Sequence, residues 1–322
     1  MRLALEAGLL ALGMYSTIPV PRLRTWKCPQ AKDYALLFYV LLPLVCGLVD
    51  LGVWWGLSRV ALPPLAAAIL LMLTHQALTG WIHWDGYADV QDALSSHQDR
   101  DRKVEIMHDS ALGALGALKT FAQMLLHMAL LGSILSYLGA ARSRGALTWA
   151  TTTQVLSLLI FGEVLGRAGL AYMAYRLPKV QKKGYLYSFS GEADGGGEEP
   201  GAFLKKAGEP AKEPGEPTKE PGESAKEPAN NAGGSPKKIQ IYLAQAEFLL
   251  ALPCLLLADP TPWKLASLFI ILLTLFYLAW ARQLFLKEFG GISGDLCGYG
   301  LITHQAWVLA GVLGSLILGF SV

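Results

Sequence analysis

Seven stretches of this chain stay apolar for about twenty residues, which restricts it to few folds. They fall near 34–57, 61–82, 111–138, 147–176, 240–258, 265–286 and 298–320. At about 1.5 Å per residue, some 20 residues cross a bilayer core. An open strand in lipid would leave backbone groups unsatisfied, so each stretch is predicted to be helical. The expected fold class is all-α: a polytopic integral membrane helical bundle with about seven transmembrane helices. Only 16% of residues are charged, against about a quarter in soluble domains, which supports the same class. Asp50, His75, Glu163 and Arg167 lie within or near these stretches. Ionisable groups at such depth face a bundle interior or a polar cavity.

The segments between the stretches set organisation and orientation. Met1 to Met14 lacks a cleavage site and is read as a retained, membrane-skimming helix, stopped by Pro19 and Pro21. Arg22, Arg24, Lys27 and Lys32 precede the first stretch, which predicts a cytoplasmic N-terminus in the cell (inner or plasma) membrane. Counting spans then places 83–110, 177–239 and 287–297 on the cytoplasmic side as well. Residues 190–238 form a degenerate Lys-Glu-Pro repeat with few apolar residues, expected to be a disordered cytoplasmic insertion. It divides one catalytic membrane domain, 1–189 and 239–322. Cys28, Cys46, Cys254 and Cys297 are scattered and read as packing residues.

One polar stretch stands out, His83-Trp84-Asp85-Gly86-Tyr87-Ala88-Asp89-Val90-Gln91-Asp92. Asp85, Asp89 and Asp92 are spaced i, i+4, i+7, which places three carboxylates on one helix face. A solvated face explains that spacing too. In a chain poor in charge, beside membrane-like segments, a cation site explains it better. Hard oxygen donors favour Mg²⁺, with Mn²⁺ as the alternative. Asp109 is a fourth candidate ligand, and Arg102 and Lys103 supply positive charge for a phosphate. Gly86 belongs to the same stretch, and Gly113 allows close helix packing or close ligand approach. Acids beside bases suit phosphotransfer from a diphosphate, in which protein groups mainly position and stabilise. No G-x-x-x-x-G-K-[ST] loop, Gly-x-Ser-x-Gly elbow or H-E-x-x-H helix occurs in the sequence.

The 83–92 stretch, followed by Asp99-Arg100-Asp101-Arg102 and Glu105-Ile106-Met107-His108-Asp109-Ser110, resembles the cobalamin synthase family, the adenosylcobinamide-GDP ribazoletransferases. Ser16-Thr17-Ile18-Pro19-Val20-Pro21, Gly166-Arg167-Ala168 and Gly291-Ile292-Ser293-Gly294-Asp295 are similar to further motifs of that family, in the same order. Ala111 stands where the family carries arginine, and the acidic residues it carries after Gly-Asp are replaced around Ile302 to Gln305. The resemblance implies Mg²⁺-dependent transfer from adenosylcobinamide-GDP to α-ribazole or its 5′-phosphate, releasing GMP. It implies the bilayer as surroundings, no nucleic acid, and association with other nucleotide-loop assembly enzymes or a second copy.

The expected ligands are Asp85, Asp89, Asp92 and Asp109. Asp92 is the expected proton acceptor and His83 the alternative. Arg102, Arg167 and Lys103 are candidates for the diphosphate, and Asp295 is a further site residue. For Arg167 a plain ion pair with Glu163, four residues earlier, is the competing reading. Two rival functions use the same acids. A CDP-alcohol phosphotransferase would show Ala-Arg where this chain has Ala88-Asp89. A cation or proton transporter would hold its acids near the bilayer midplane.

Overall fold

The computed structural model describes residues 2–20, 31–39, 42–60, 62–109, 111–145, 149–180 and 261–318. Among them the chain is helical, with one isolated parallel bridge between Lys179 and Ile292. The helices are α1 (Arg2–Tyr15), α2 (Ala31–Tyr39), α3 (Leu42–Leu57), α4 (Pro64–Thr79) and α5 (Ile82–Ser95). They continue with α6 (Arg100–Met107), α7 (Ala114–Ser143), α8 (Trp149–Arg176), α9 (Thr261–Glu288) and α10 (Gly294–Ile317). The all-α membrane architecture expected from hydropathy is the one observed.

Four helices are long and apolar enough to cross a membrane, namely α7, α8, α9 and α10. The α4–α5 pair makes a fifth only if the two are taken as one broken span. Two of the predicted stretches therefore differ from expectation among the described residues. The 34–57 stretch is divided between α2 and α3, with 40–41 outside the described residues. The 61–82 stretch stops at Thr79 and turns by 95° into α5. The predicted 240–258 span and the 190–238 insertion lie outside the described residues.

The turn has a local cause. Gly80 closes α4 in the left-handed region at φ 63°, and Trp81 follows at φ 62°. Glycine accepts that conformation without strain, and tryptophan does not. A docked segment holds the turn in place. Thr17 donates its N–H to the Leu78 carbonyl at 2.8 Å and its hydroxyl to the Ala77 carbonyl at 2.7 Å. Those carbonyls lie in the last turn of α4, where no helical N–H remains to pair with them. The Ser16–Pro19 segment thus completes the end of α4. The helix before it, α1, packs on α2 through Leu10, Ala11 and Ala35, with Glu6 buried and paired to Arg2.

α5 spans about 21 Å at 1.5 Å per residue, too short to cross a bilayer core of about 30 Å. With its carboxylates, it is read as lying at the membrane end of α4, outside the membrane-spanning segments. Its apolar side, including Trp84, Tyr87, Val90 and Ala93, joins the main core with α8, α9 and α10. Small residues let the long helices approach closely, the usual packing rule within lipid. On α8, a Cβ added to Gly162, Gly166 or Gly169 would strike Val308, His304 or Leu278 respectively.

Candidate functional site

α5 is built to present one polar face. His83, Trp84, Gly86, Tyr87, Ala88, Val90 and Ala93 are buried, Asp85 is exposed, and Asp89 and Asp92 are half-buried. The i, i+4, i+7 spacing thus forms the expected row of carboxylates. The buried side is clamped by two neighbours. Against α10, a Cβ on Gly86 would come 2.8 Å from the Asp295 Cα, and one on Gly298 would come 3.0 Å from the His83 carbonyl. The Tyr87 and Tyr299 rings stack along this contact with centroids 5.3 Å apart. Against α7, Trp84 meets His127 edge-on at 5.3 Å, and the Gly113 N–H donates to Asp92 Oδ2 at 3.0 Å. Gly113 is the N-cap of α7. Asp92 therefore places a carboxylate at the positive end of that helix. Side chains at Gly113 and Gly116 would collide with it.

Asp89 registers the crowding of charge. Its carboxyl is pushed up to about 6, first by burial and then by Asp85, Asp295 and Asp92. The carboxylates that act together are therefore those three and Asp89. Asp109, expected among the ligands, sits in the α6–α7 connection, where its Oδ1 accepts the Ala111 N–H at 3.0 Å. Asp295, in the first turn of α10, is brought in by the Gly86 contact. His108, the C-cap of α6, lies close enough to Asp295 for its charge to act there. Sequence reading quoted His108 within a motif and gave it no role, because only the fold brings it beside Asp295.

His83 lies on the buried side of α5, away from the carboxylate row. Its Nε2 faces the Tyr39 hydroxyl at 3.4 Å, and burial followed by the Arg167 charge holds its imidazole well below the usual range. The three predicted cations part company as well. Arg102 remains on the surface with a 59% exposed side chain, beside Glu105 at 2.6 Å. The Lys103 side chain is only 10% exposed and pairs with Glu288 at 2.5 Å. Arg100 donates to the Leu286 and Lys287 carbonyls at 3.3 Å, so α6 is fastened to the end of α9. Arg167 is wholly buried, pairs with Glu163, and stands 5.5 Å from the Tyr39 ring. The competing reading of Arg167, an i, i+4 ion pair, is the arrangement observed.

A metal would meet oxygen donors alone. Among the described residues, no group of three or more His, Cys, Asp or Glu side chains is placed to hold a metal ion by itself. Mg²⁺ seldom needs one, because it commonly takes one or two carboxylates and completes its shell with water and substrate phosphates. Asp89 with one neighbouring carboxylate would suit that open mode of binding, and the repulsion that adds to burial at Asp89 is what a cation would relieve.

The sequence pattern described as cobalamin-5-phosphate synthase matches residues 7–202. The chain belongs to the cobalamin-5-phosphate synthase family. The matched region of this family member carries the whole carboxylate row and leaves Asp295 outside it. Relatives named adenosylcobinamide-GDP ribazoletransferase come from several bacteria. The one from Clostridium perfringens strain SM101 is 28% identical over 171 residues, covering 53% of this chain and 67% of the relative. That of Azorhizobium caulinodans is 33% identical over 153 residues, covering 47% and 58%. That of Shewanella amazonensis is 30% identical over 178 residues, covering 55% and 63%. This family member therefore spans 58% to 67% of the length of these three relatives. No solved structure matches it.

Proposed function

We propose that this protein transfers the adenosylcobinamide phosphate group from adenosylcobinamide-GDP to α-ribazole or its 5′-phosphate, giving adenosylcobalamin or its phosphate and GMP. The reading is carried by the carboxylate row of α5, held against Asp295 by the Gly86 contact. Membership of the cobalamin-5-phosphate synthase family and the names of the relatives support the substrate pair. In the reaction, a ribose hydroxyl of the acceptor attacks the phosphorus on the cobinamide side of the diphosphate. The bond from that phosphorus to the bridging oxygen breaks, and GMP leaves with that oxygen.

Asp89 with one of its neighbours Asp85 and Asp295 would hold Mg²⁺, whose contribution is to neutralise charge on the diphosphate and to orient its oxygens. Asp92 keeps the N-terminus of α7 against α5 through the Gly113 N–H. Proton acceptance from the attacking hydroxyl falls to Asp89 or Asp92. Arg102, exposed on α6, is the predicted cation left available to the diphosphate. Lys103 serves the site by fixing α6 to α9 through Glu288, and Arg167 neutralises Glu163 within α8.

The finer placement belongs to the same proposal. The row faces the cytoplasm of a multi-pass protein in the cell membrane, where both soluble substrates reach it. The test is purified protein in detergent or liposomes given adenosylcobinamide-GDP, α-ribazole and Mg²⁺, with and without EDTA. GMP release that stops with EDTA is expected. Activity on a CDP-linked lipid without GMP release would overturn the reading.

A further inference from the structure

A cavity of about 170 Å³ lies within the bundle, on the side of α5 away from the carboxylate row. Its wall comes from α3, α4, α7, α8 and α10 and includes none of Asp85, Asp89, Asp92 and Asp295. Most of the wall is aliphatic, with Leu71, Leu131, Leu135, Val155 and Leu159 among its residues. Polar side chains interrupt it, among them Gln76, His127, Thr152, Glu163 and Gln305, and at one place Asp50 on α3 meets His75 on α4. His75 Nδ1 donates to Asp50 Oδ2 at 2.8 Å. The remaining atoms of the pair, Asp50 Oδ1 and His75 Nε2, are buried without a hydrogen-bond partner among the described residues. Burying such groups unpaired costs about 1–3 kcal/mol each, so the pair is a standing demand for a ligand.

The chemistry of the wall defines the ligand. Size comes first: a dry apolar cavity of about 150 Å³ accepts one benzene-sized ring. Charge comes second. Glu163 also lines the cavity, but its Oε2 already accepts from Arg167 and from Gln305 at 3.0 Å, while Asp50 has His75. With each acid matched, a charged ligand would enter without a counter-ion. Hydrogen-bond polarity comes third. Asp50 Oδ1, a carboxylate oxygen left over from the pair with His75, can only accept. The site therefore requires a donor from the ligand. The Asp50 and His75 side chains remain 24% and 18% exposed, so the polar end of the cavity opens to the outside of the bundle. Both residues sit on apolar helices, Asp50 on α3 and His75 on α4.

We propose that this cavity is a second binding site, for an uncharged aromatic molecule dissolved in the membrane that carries one N–H or O–H donor, which pairs with Asp50 beside His75. The site is separate from the transfer centre, and its occupancy does not depend on the activity proposed above.

Full-length protein in detergent, with protein-free micelles as the partition blank, is titrated with 5-fluoroindole and followed by ¹⁹F NMR. The N-methylated analogue is titrated in parallel. Saturable binding of 5-fluoroindole is expected, with the N-methyl compound at least about tenfold weaker. Leu131→Trp, which fills the cavity, should abolish binding. His75→Phe should cost 5-fluoroindole about tenfold and leave the N-methyl compound unchanged. Equal affinity for the two compounds, or undiminished binding in a folded Leu131→Trp variant, would overturn the proposal. Should Leu131→Trp fail to fold, the analogue pair and His75→Phe decide by themselves.

Discussion

Gly86 and Asp295 meet backbone to backbone: a Cβ on Gly86 would lie 2.8 Å from the Asp295 Cα and 3.0 Å from its carbonyl oxygen. The obstacle is main chain, which cannot rotate aside. Gly86→Ala should therefore push α5 from α10, at about 1–3 kcal/mol for overpacking. The larger consequence is functional, because Asp295 moves relative to Asp89. GMP release should fall at least about a hundredfold, in line with the cost of about 1 Å of misplacement at a reacting centre. Kinetics alongside a thermal melt check this; full activity in Gly86→Ala would remove Asp295 from the site.

Asp89→Asn removes the charge most crowded by its neighbours. Loss of at least about a hundredfold in kcat is expected, with little loss of folding stability. The neutral side chain no longer opposes Asp85, Asp92 and Asp295. Turnover undiminished at saturating Mg²⁺ would dismiss Asp89 as a ligand or base.

The pH dependence follows from the same carboxyl. Its folded value of about 6 lies above the ordinary 3.8, so the folded protein binds the proton more tightly than the unfolded chain. Stability contributed by this group is therefore present at low pH and is lost as pH rises through about 4 to 6. A divalent cation reverses the penalty by favouring the ionised form. Mg²⁺ should raise the melting temperature more at pH 7.5 than at pH 5. Equal increments at the two pH values would contradict cation binding at Asp89.

Lys103 and Glu288 join α6 to α9 across 185 positions of sequence. Lys103→Met leaves the half-buried Glu288 with Lys287 at 3.4 Å as its remaining partner and should cost about 2 kcal/mol, the scale of a hydrogen bond to a charged group. The Lys103→Glu, Glu288→Lys double variant should recover at least half of the stability lost by Lys103→Glu alone. A rise in KM for adenosylcobinamide-GDP without any loss of stability would instead return Lys103 to the diphosphate.

Arg167→Met leaves Glu163 buried with Gln305 as its remaining partner. Breaking one side of a buried ion pair costs about 3–5 kcal/mol. The protein should melt markedly earlier, while folded molecules keep their KM for adenosylcobinamide-GDP. An unchanged melting temperature with a raised KM would restore the diphosphate role.

The carboxylate row was legible in the sequence because it is a local pattern. Three acids at helical spacing share a face whatever surrounds them, and α5 presents Asp85, Asp89 and Asp92 together. The small residues around them were legible as signs of close approach, though not what they approach. The Arg167–Glu163 pair was one of two readings its i, i+4 spacing offered, whereas the surroundings of Lys103 and His83 were not legible in the same way. A basic side chain in a motif looks alike whether it meets a diphosphate or a carboxylate, and Glu288 is too distant in sequence to betray the pair. Asp109 was expected among the ligands and Asp295 only as a further site residue, and the fold brought the carboxylate of Asp295 to bear on Asp89.

By itself, the sequence determined the helical class, the membrane surroundings and the acidic face, since hydrophobic run length and the 3.6-residue period act within one segment. Only the tertiary structure decided that α4 and α5 part at 95°, that Asp295 lies against Gly86, and that Lys103 is a strut to Glu288. Those outcomes depend on where glycines let distant backbones touch and on which opposite charge lies nearest once they have. Neither is encoded in the spacing of residues along one helix.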